Sequence, residues 1–450
     1  VIARLPAPLR AAALYAVAIA WGKGLSLLLL PVMTAHLSPA EFGRLELLAS
    51  AADVAALLVG AGLVDTLYRF GAAGGDTARR AAAEVTGLAL AAAALTLALA
   101  AAAGAALHGT QAGLEVVLLG IAVAMGPLIG VGLAIMRLEA DPRRYAAFEV
   151  VRATLQTGLV AALLVAGFSL AGVLVGGACV ATLAASALLL RQWRRGGLRF
   201  EAAAWRRLLA YGVPLIGSGL AGFALGTADR WVLAGTVPAE VLGQYGLAAK
   251  LALVAAFLMQ PFDLWWYAQR QRVLAEAGGA ARTARIVGAG AAVAVLAAAA
   301  AAIAGPIVIA VLTPAAYHGA GVFVPWIAAA VALQALGSLV NVGCYTGRTG
   351  RLPLLANGIA AGVAVAGYLL LIPPFGVAGT LAATLVAQGV RFAIFLRLSQ
   401  RIAPVAYPLG RVAALAVASV AAVAALGGLP PVGATMAGAA ALAVLAGLAL

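Results

Sequence analysis

Across 450 residues, 65% of the side chains are hydrophobic and only 10% are charged, with a mean hydropathy of +1.07, whereas a soluble domain carries roughly a quarter charged residues. Too few polar side chains exist to cover a soluble globule, and long apolar runs without two-residue alternation exclude a β-barrel in favour of spanning helices. The formal charge of +14 would suggest a nucleic-acid partner in a soluble protein, but here membrane topology accounts for it and no nucleic acid is expected.

With about 20 residues per span as the ruler, helices are expected near 11 to 35, 45 to 68, 81 to 107, 112 to 136, 146 to 168 and 171 to 190. The first is not read as a cleaved signal peptide, because its apolar run is full length, contains Lys23 and is followed at once by a second span. After a basic loop, a second series is expected near 208 to 235, 242 to 267, 286 to 312, 322 to 346, 353 to 372 and 377 to 396, with a last pair near 412 to 427 and 433 to 450. The expected fold is therefore an all-α membrane protein of about fourteen transmembrane helices.

Every second loop is basic. Arg69, Arg79 and Arg80 are followed by Arg137, Arg143 and Arg144, then by Arg191, Arg194, Arg195, Arg199, Arg206 and Arg207. The series continues through Arg270, Arg272, Arg282 and Arg285, then Arg348 and Arg351, then Arg397, Arg401 and Arg411. The intervening loops carry almost no basic residue except Arg44, and they hold His36, His108 and His318. Positive residues stay on the cytoplasmic side, so both termini are expected there, in a bacterial inner membrane. Cys179 and Cys344 both fall inside expected spans, which leaves little support for a disulfide framework or a zinc site. They are read as packing residues.

An internal repeat links the two series. Ser38-Pro39-Ala40-Glu41-Phe42-Gly43-Arg44-Leu45 matches Val237-Pro238-Ala239-Glu240-Val241-Leu242-Gly243-Gln244-Tyr245 with one residue inserted. The spans that follow also correspond, each ending in an aspartate and an aromatic cluster, Asp65 to Phe70 and Asp263 to Tyr267. Six spans separate the copies, so the repeat is parallel, and two lobes related by an axis along the membrane normal are expected.

These residues resemble the polysaccharide flippases, of the O-antigen type, in the multidrug, oligosaccharidyl-lipid and polysaccharide exporter superfamily. The resemblance covers most of the chain. It is carried by Lys23-Gly24-Leu25, Leu30-Pro31, Leu37-Ser38-Pro39-Ala40-Glu41-Phe42-Gly43, Gly62-Leu63 and Tyr68-Arg69-Phe70. In the second copy it is carried by Tyr211-Gly212-Val213-Pro214, Ala228-Asp229-Arg230-Trp231 and Gly243-Gln244-Tyr245-Gly246-Leu247-Ala248-Ala249-Lys250. The resemblance implies two six-helix lobes around a central cavity, over residues 1 to 207 and 208 to 411, and a terminal helix pair over 412 to 450. It also implies transport of an oligosaccharide on an undecaprenyl pyrophosphate carrier from the cytoplasmic to the periplasmic leaflet. Such cargo would serve lipopolysaccharide or exopolysaccharide synthesis, with a glycan polymerase as a possible partner and membrane lipids as neighbours.

Charges inside the hydrocarbon layer cost roughly 2.5 to 3.5 kcal/mol or more at a helix centre, so they mark a cavity or a partner. Lys23, between Gly22 and Gly24, is the first candidate for a substrate cavity. Lys250 and Arg230 are the others, together making a positively biased chamber suited to a pyrophosphate. Against this stands local pairing with Asp229 or Asp263. Adjacent helical residues point about 100° apart, so Asp229 and Arg230 are not expected to face one partner squarely. Asp53 and Glu46, two turns apart on one helix, are candidates for a coupling ion or for pairing with Lys23. Asp65 and Arg69 are spaced for a helical ion pair. Trp265, Trp266 and Tyr267 are expected in an aromatic belt, and Gly222 and Gly226 at a close helix contact.

No nucleophile, paired carboxylate or metal-ligand spacing accompanies the histidines, so neither catalysis nor a cofactor is expected. The alternatives are an ion-coupled small-molecule or drug exporter of the same superfamily and, of a different class, a membrane glycan polymerase or ligase. A polymerase would need a sizeable periplasmic loop, and those loops are short.

Overall fold

The computed structural model describes residues 7–60, 62–71, 75–346 and 351–426, together with 437, 438, 441 and 444. Every regular element among them is helical. Ten of these helices are long and apolar enough to cross a membrane, or eleven if the bent pair Ala315–Val322 and Val324–Val340 forms one span. The protein is a multi-pass membrane protein. Most of the last expected span, near 433 to 450, and Arg348 lie outside the described residues.

The chain divides into two compact units, residues 1–37 with 48–220, and residues 38–47 with 221–450. The first contains α1 (Ala7–His36), most of α2 (Pro39–Gly60), α3 (Leu63–Gly71), α4 (Gly75–Ala106), α5 (Gln111–Leu138), α6 (Pro142–Val165), α7 (Ser169–Gly196) and most of α8 (Ala202–Gly226). Its core gathers Leu67, Val85, Ala89, Leu128, Val131 and Leu208 from α3, α4, α5 and α8. Small residues let helices approach where lipid offers no hydrophobic drive to associate. The site of a Cβ on Gly120 of α5 is filled by the Ala100 side chain of α4.

The basic loop of the first unit is docked. Buried Glu84 of α4 accepts from Arg80 Nε at 2.9 Å and from Arg207 Nη2 at 3.1 Å. The backbone N–H of Arg199 donates to the Ala83 carbonyl at 3.1 Å. These arginines, read as topology signals, also hold the loop against α4.

The second unit contains α9 (Asp229–Ala234), α10 (Ala239–Ala252), α11 (Val254–Ala275), α12 (Gly279–Leu312), α13 (Val324–Val340), α14 (Arg351–Ile402) and α15 (Leu409–Leu426), with 3₁₀ turns at Ala315–Val322 and Val342–Tyr345. Within α14 the chain reverses at Gly376, whose φ of 54° and ψ of −129° suit glycine alone, just after Pro373 and Pro374. The two arms pair: Tyr368 Oη lies 3.1 Å from Thr384 Oγ1.

Three expected spans prove to be interrupted. The span near 45 to 68 breaks between α2 and α3, where Gly62 takes a φ of 66°. The span near 208 to 235 breaks at Thr227 and Ala228, and that near 242 to 267 breaks at Leu253. Two smaller expectations are corrected. Trp266 is fully buried among Met259, Val287 and Phe395 and belongs to the core, while Trp265 and Tyr267 are exposed. Gly222 and Gly226 have open space where a Cβ would stand, so they mark no close contact.

Candidate functional site

The first turns of α2 belong to the second unit, and there the two copies of the repeated motif meet. Ser38 and Glu41 form a capping box, Ser38 donating from N at 2.8 Å and from Oγ at 2.9 Å to Glu41 Oε2, and Glu41 N donating back to Ser38 Oγ at 3.2 Å. One turn on, a Cβ on Gly43 would strike the backbone of Ala239 and Gly243, and one on Gly243 would strike the backbone of Pro39 and Gly43. Each glycine thus meets the residue four positions before the other, the reciprocity of a local pseudo-two-fold axis. This crossing brings Glu46 of α2 over Gly246 of α10, where a Cβ would collide with the glutamate side chain.

Glu46 is buried, and its carboxylate is shared by two cations. Lys250 Nζ lies 2.5 Å from Oε1, and Arg230 Nε donates to Oε2 at 3.3 Å. Arg230, at the start of α9, also reaches Asp229 Oδ1 at 3.4 Å and the Gly226 carbonyl at 3.4 Å. Tyr245 donates its phenolic hydrogen to Asp229 Oδ2, and its ring lies 5.8 Å beneath the Arg230 guanidinium. The Lys250 ammonium stands 5.8 Å over the ring of Phe42, a fully buried residue.

Two carboxylates face two cations, so the formal charges within this cluster cancel. The expected positively biased chamber is corrected to that extent: Arg230 is closed in by Glu46 and Asp229. Side-chain exposure separates the members, at 5% for Glu46, 4% for Asp229 and 9% for Arg230 but 35% for Lys250. Lys250 is the member of the cluster that reaches outward. Asp229 and Arg230 do meet different partners, as their helical angle requires, yet the guanidinium is long enough to fold back on its neighbour.

The other candidates stand elsewhere. Lys23 and Asp53 are exposed residues of the first unit. Glu46 pairs with Arg230 and Lys250. Asp263 is half-buried on α11 and forms no ion pair among the described residues. Arg69 lies 4.5 Å over the ring of Tyr211 instead of pairing with Asp65. No group of histidine, cysteine or acidic side chains suited to a metal ion occurs among the described residues.

A family described as polysaccharide biosynthesis protein matches residues 9–262, over half of the chain. The chain belongs to that family. The solved structure of a lipid II flippase, MurJ, in an inward closed conformation superposes with a TM-score of 0.74 at 9% identity, covering 96% of this chain and 98% of that one. A multidrug resistance MATE family transporter of the MOP superfamily in its outward-facing conformation gives a TM-score of 0.54 at 13% identity, covering 92% and 97%. An inward-facing structure with the same family description gives 0.55 at 15%, covering 87% and 95%. At such identities the shared property is the fold, that of the MurJ and MATE proteins. No curated protein matches the chain by sequence.

Sequence reading missed Tyr245 and Gly246, although both sit in the Gly243-to-Lys250 stretch that carries the resemblance. An aromatic and a glycine inside an apolar helix look like packing. Their roles depend on what crosses them.

Proposed function

We propose that this protein is an alternating-access flippase that moves an oligosaccharide linked to undecaprenyl pyrophosphate from the cytoplasmic to the periplasmic leaflet of a bacterial inner membrane. On this proposal the chain has fourteen spans with both termini in the cytoplasm. Lobes at 1–207 and 208–411 rock about an axis along the membrane normal, and the pair at 412–450 stands beside them. Family membership and the MurJ-like fold support the class. The observation that carries the chemistry is Lys250, partly exposed and held by a buried carboxylate.

The ammonium has two alternative anions, Glu46 and a phosphate of the cargo. When the pyrophosphate arrives, Lys250 swings outward, and Glu46 keeps Arg230, shared with Asp229, as its counter-ion; the negative charge left on the cluster draws the lysine back. On release the lysine returns to Glu46. Exchange between two anions makes binding reversible, which a carrier requires, and no covalent step is involved. Lys23 is proposed to face the same cargo from the first lobe, and Asp53 is the remaining candidate for ion coupling.

Glycan export separates this proposal from a small-molecule exporter. A strain lacking the protein is expected to lose surface polysaccharide and regain it with the native chain, to regain about a tenth or less with Lys250→Gln, and to regain most of it with Lys250→Arg. Full export by Lys250→Gln, or restored drug resistance without restored glycan, would defeat the proposal.

A further inference from the structure

Among the described residues, a second pair of cations in the second unit has no acidic partner. Arg391 lies well inside the second arm of α14, six residues before Arg397. Its Nε donates to Asn357 Oδ1 at 2.8 Å, Nη1 to the Gln334 carbonyl at 3.1 Å and Nη2 to Ser338 Oγ at 3.4 Å. Arg270, buried at the end of α11, donates from Nη1 to Asn341 Oδ1 at 3.0 Å. The rings of Tyr267 and Tyr345 stand 4.2 and 4.3 Å from its guanidinium carbon. Ser338 and Asn341, acceptors of Arg391 and Arg270, lie three residues apart at the end of α13, so the two cations meet one stretch of chain.

Every acceptor in this cluster is neutral. From residue 277 to 450 the chain carries eight arginines and neither aspartate nor glutamate. Asp263, two turns before Arg270 on α11, makes no ion pair with it among the described residues. The buried cluster around Glu46 balances its charges, and Arg80, Arg207, Arg191 and Arg195 all have glutamates. Arg270 and Arg391 do not. A buried guanidinium and one well inside a helix, both without a counter-ion, are costly. Each guanidinium has five N–H donors, and the contacts above leave several unused.

We propose that Arg270 and Arg391 form a binding site for a phosphate-ester anion at the arginine-rich end of the second unit. Guanidinium forks match phosphate oxygens, and two tyrosine rings within cation–π distance help to hold Arg270 in place. The tyrosines at its edge are exposed, Tyr345 at 41% and Tyr267 at 43%, so an arriving headgroup meets them first. It shares no residue with the Glu46 cluster and does not rest on the transport proposal, because a resident phospholipid would also satisfy it.

The test uses the full chain in phosphatidylcholine nanodiscs and native mass spectrometry. The probes are a polyprenyl diphosphate, phosphatidylglycerol and inorganic pyrophosphate, each titrated in the native protein and in Lys250→Gln, so that adducts at Lys250 are recognised. Asn357→Asp is the most informative variant, since it places a carboxylate against Arg391 with hardly any change of shape. It is expected to weaken adduct formation about tenfold while leaving the melting temperature equal or higher. Arg391→Gln is expected to weaken it as much, and Arg391→Lys less. Preference for the diphosphate assigns the carrier headgroup, preference for phosphatidylglycerol a resident lipid, and binding of pyrophosphate alone a soluble anion. Any of these supports the site if Asn357→Asp diminishes it. Adducts of all three probes unchanged by both Asn357→Asp and Arg391→Gln would overturn it. Loss of export in Lys250→Gln with these adducts intact bears on transport only.

Discussion

Glu46 shows how one carboxylate can decide the state of two cations. Arg230 is held on one oxygen and Lys250 on the other, and the carboxylate itself is 5% exposed. Glu46→Gln removes the charge from both pairs, but Arg230 keeps Asp229, so the loss is expected to be about 1.5–3 kcal/mol rather than the larger cost of a fully orphaned ion. Thermal unfolding of the purified protein measures it. Adding Lys250→Gln to Glu46→Gln should cost little more, since the lysine has already lost its partner. A second loss as large as the first would mean that Lys250 is held by something other than Glu46.

Between elements, the crossing of α2 and α10 depends on the absence of two β-carbons. A methyl group at Gly243 meets the backbone of Pro39 and Gly43, which cannot rotate away as a flexible side chain would. Gly243→Ala is therefore expected to destabilise the protein by about 1–3 kcal/mol through overpacking and to displace Glu46 from Arg230. Gly222→Ala provides the contrast. It sits in a helix with open space around it, so alanine is expected to be neutral or to stabilise by up to about 1 kcal/mol. Equal losses from the two changes in the same melting assay would remove the crossing as the cause.

For the molecule as a whole, the alternation of basic and arginine-poor loops sets an orientation that labelling can read. In a background of Cys179→Ser and Cys344→Ser, a membrane-impermeant thiol reagent applied to intact cells is expected to modify His318→Cys and to spare Arg79→Cys. The opposite pattern would invert the proposed direction of transport. The arginines of these loops also have structural partners: Glu84 binds Arg80 and Arg207, and Glu139 binds Arg191 and Arg195. Topology and packing thus draw on the same residues, because a cation excluded from the hydrocarbon layer is also available to tie a loop to a helix end.

Composition and periodicity alone made the helical membrane class legible, since a chain this apolar has few ways to satisfy its backbone. The repeated Pro-Ala-Glu motif announced two related copies, and the costly charges at 46, 229, 230 and 250 stood out against an apolar background. Their partners did not. Glu46 and Arg230 are 184 residues apart, and helical periodicity assigns a side chain to a face without saying which helix will cross it. The pairing of Glu46 with Lys250 followed from the meeting of Gly43 with Gly243. The isolation of Arg270 and Arg391 from any carboxylate likewise became visible only once α11, α13 and α14 were packed, because a charge is balanced or unbalanced by its neighbours in space and not by those along the chain.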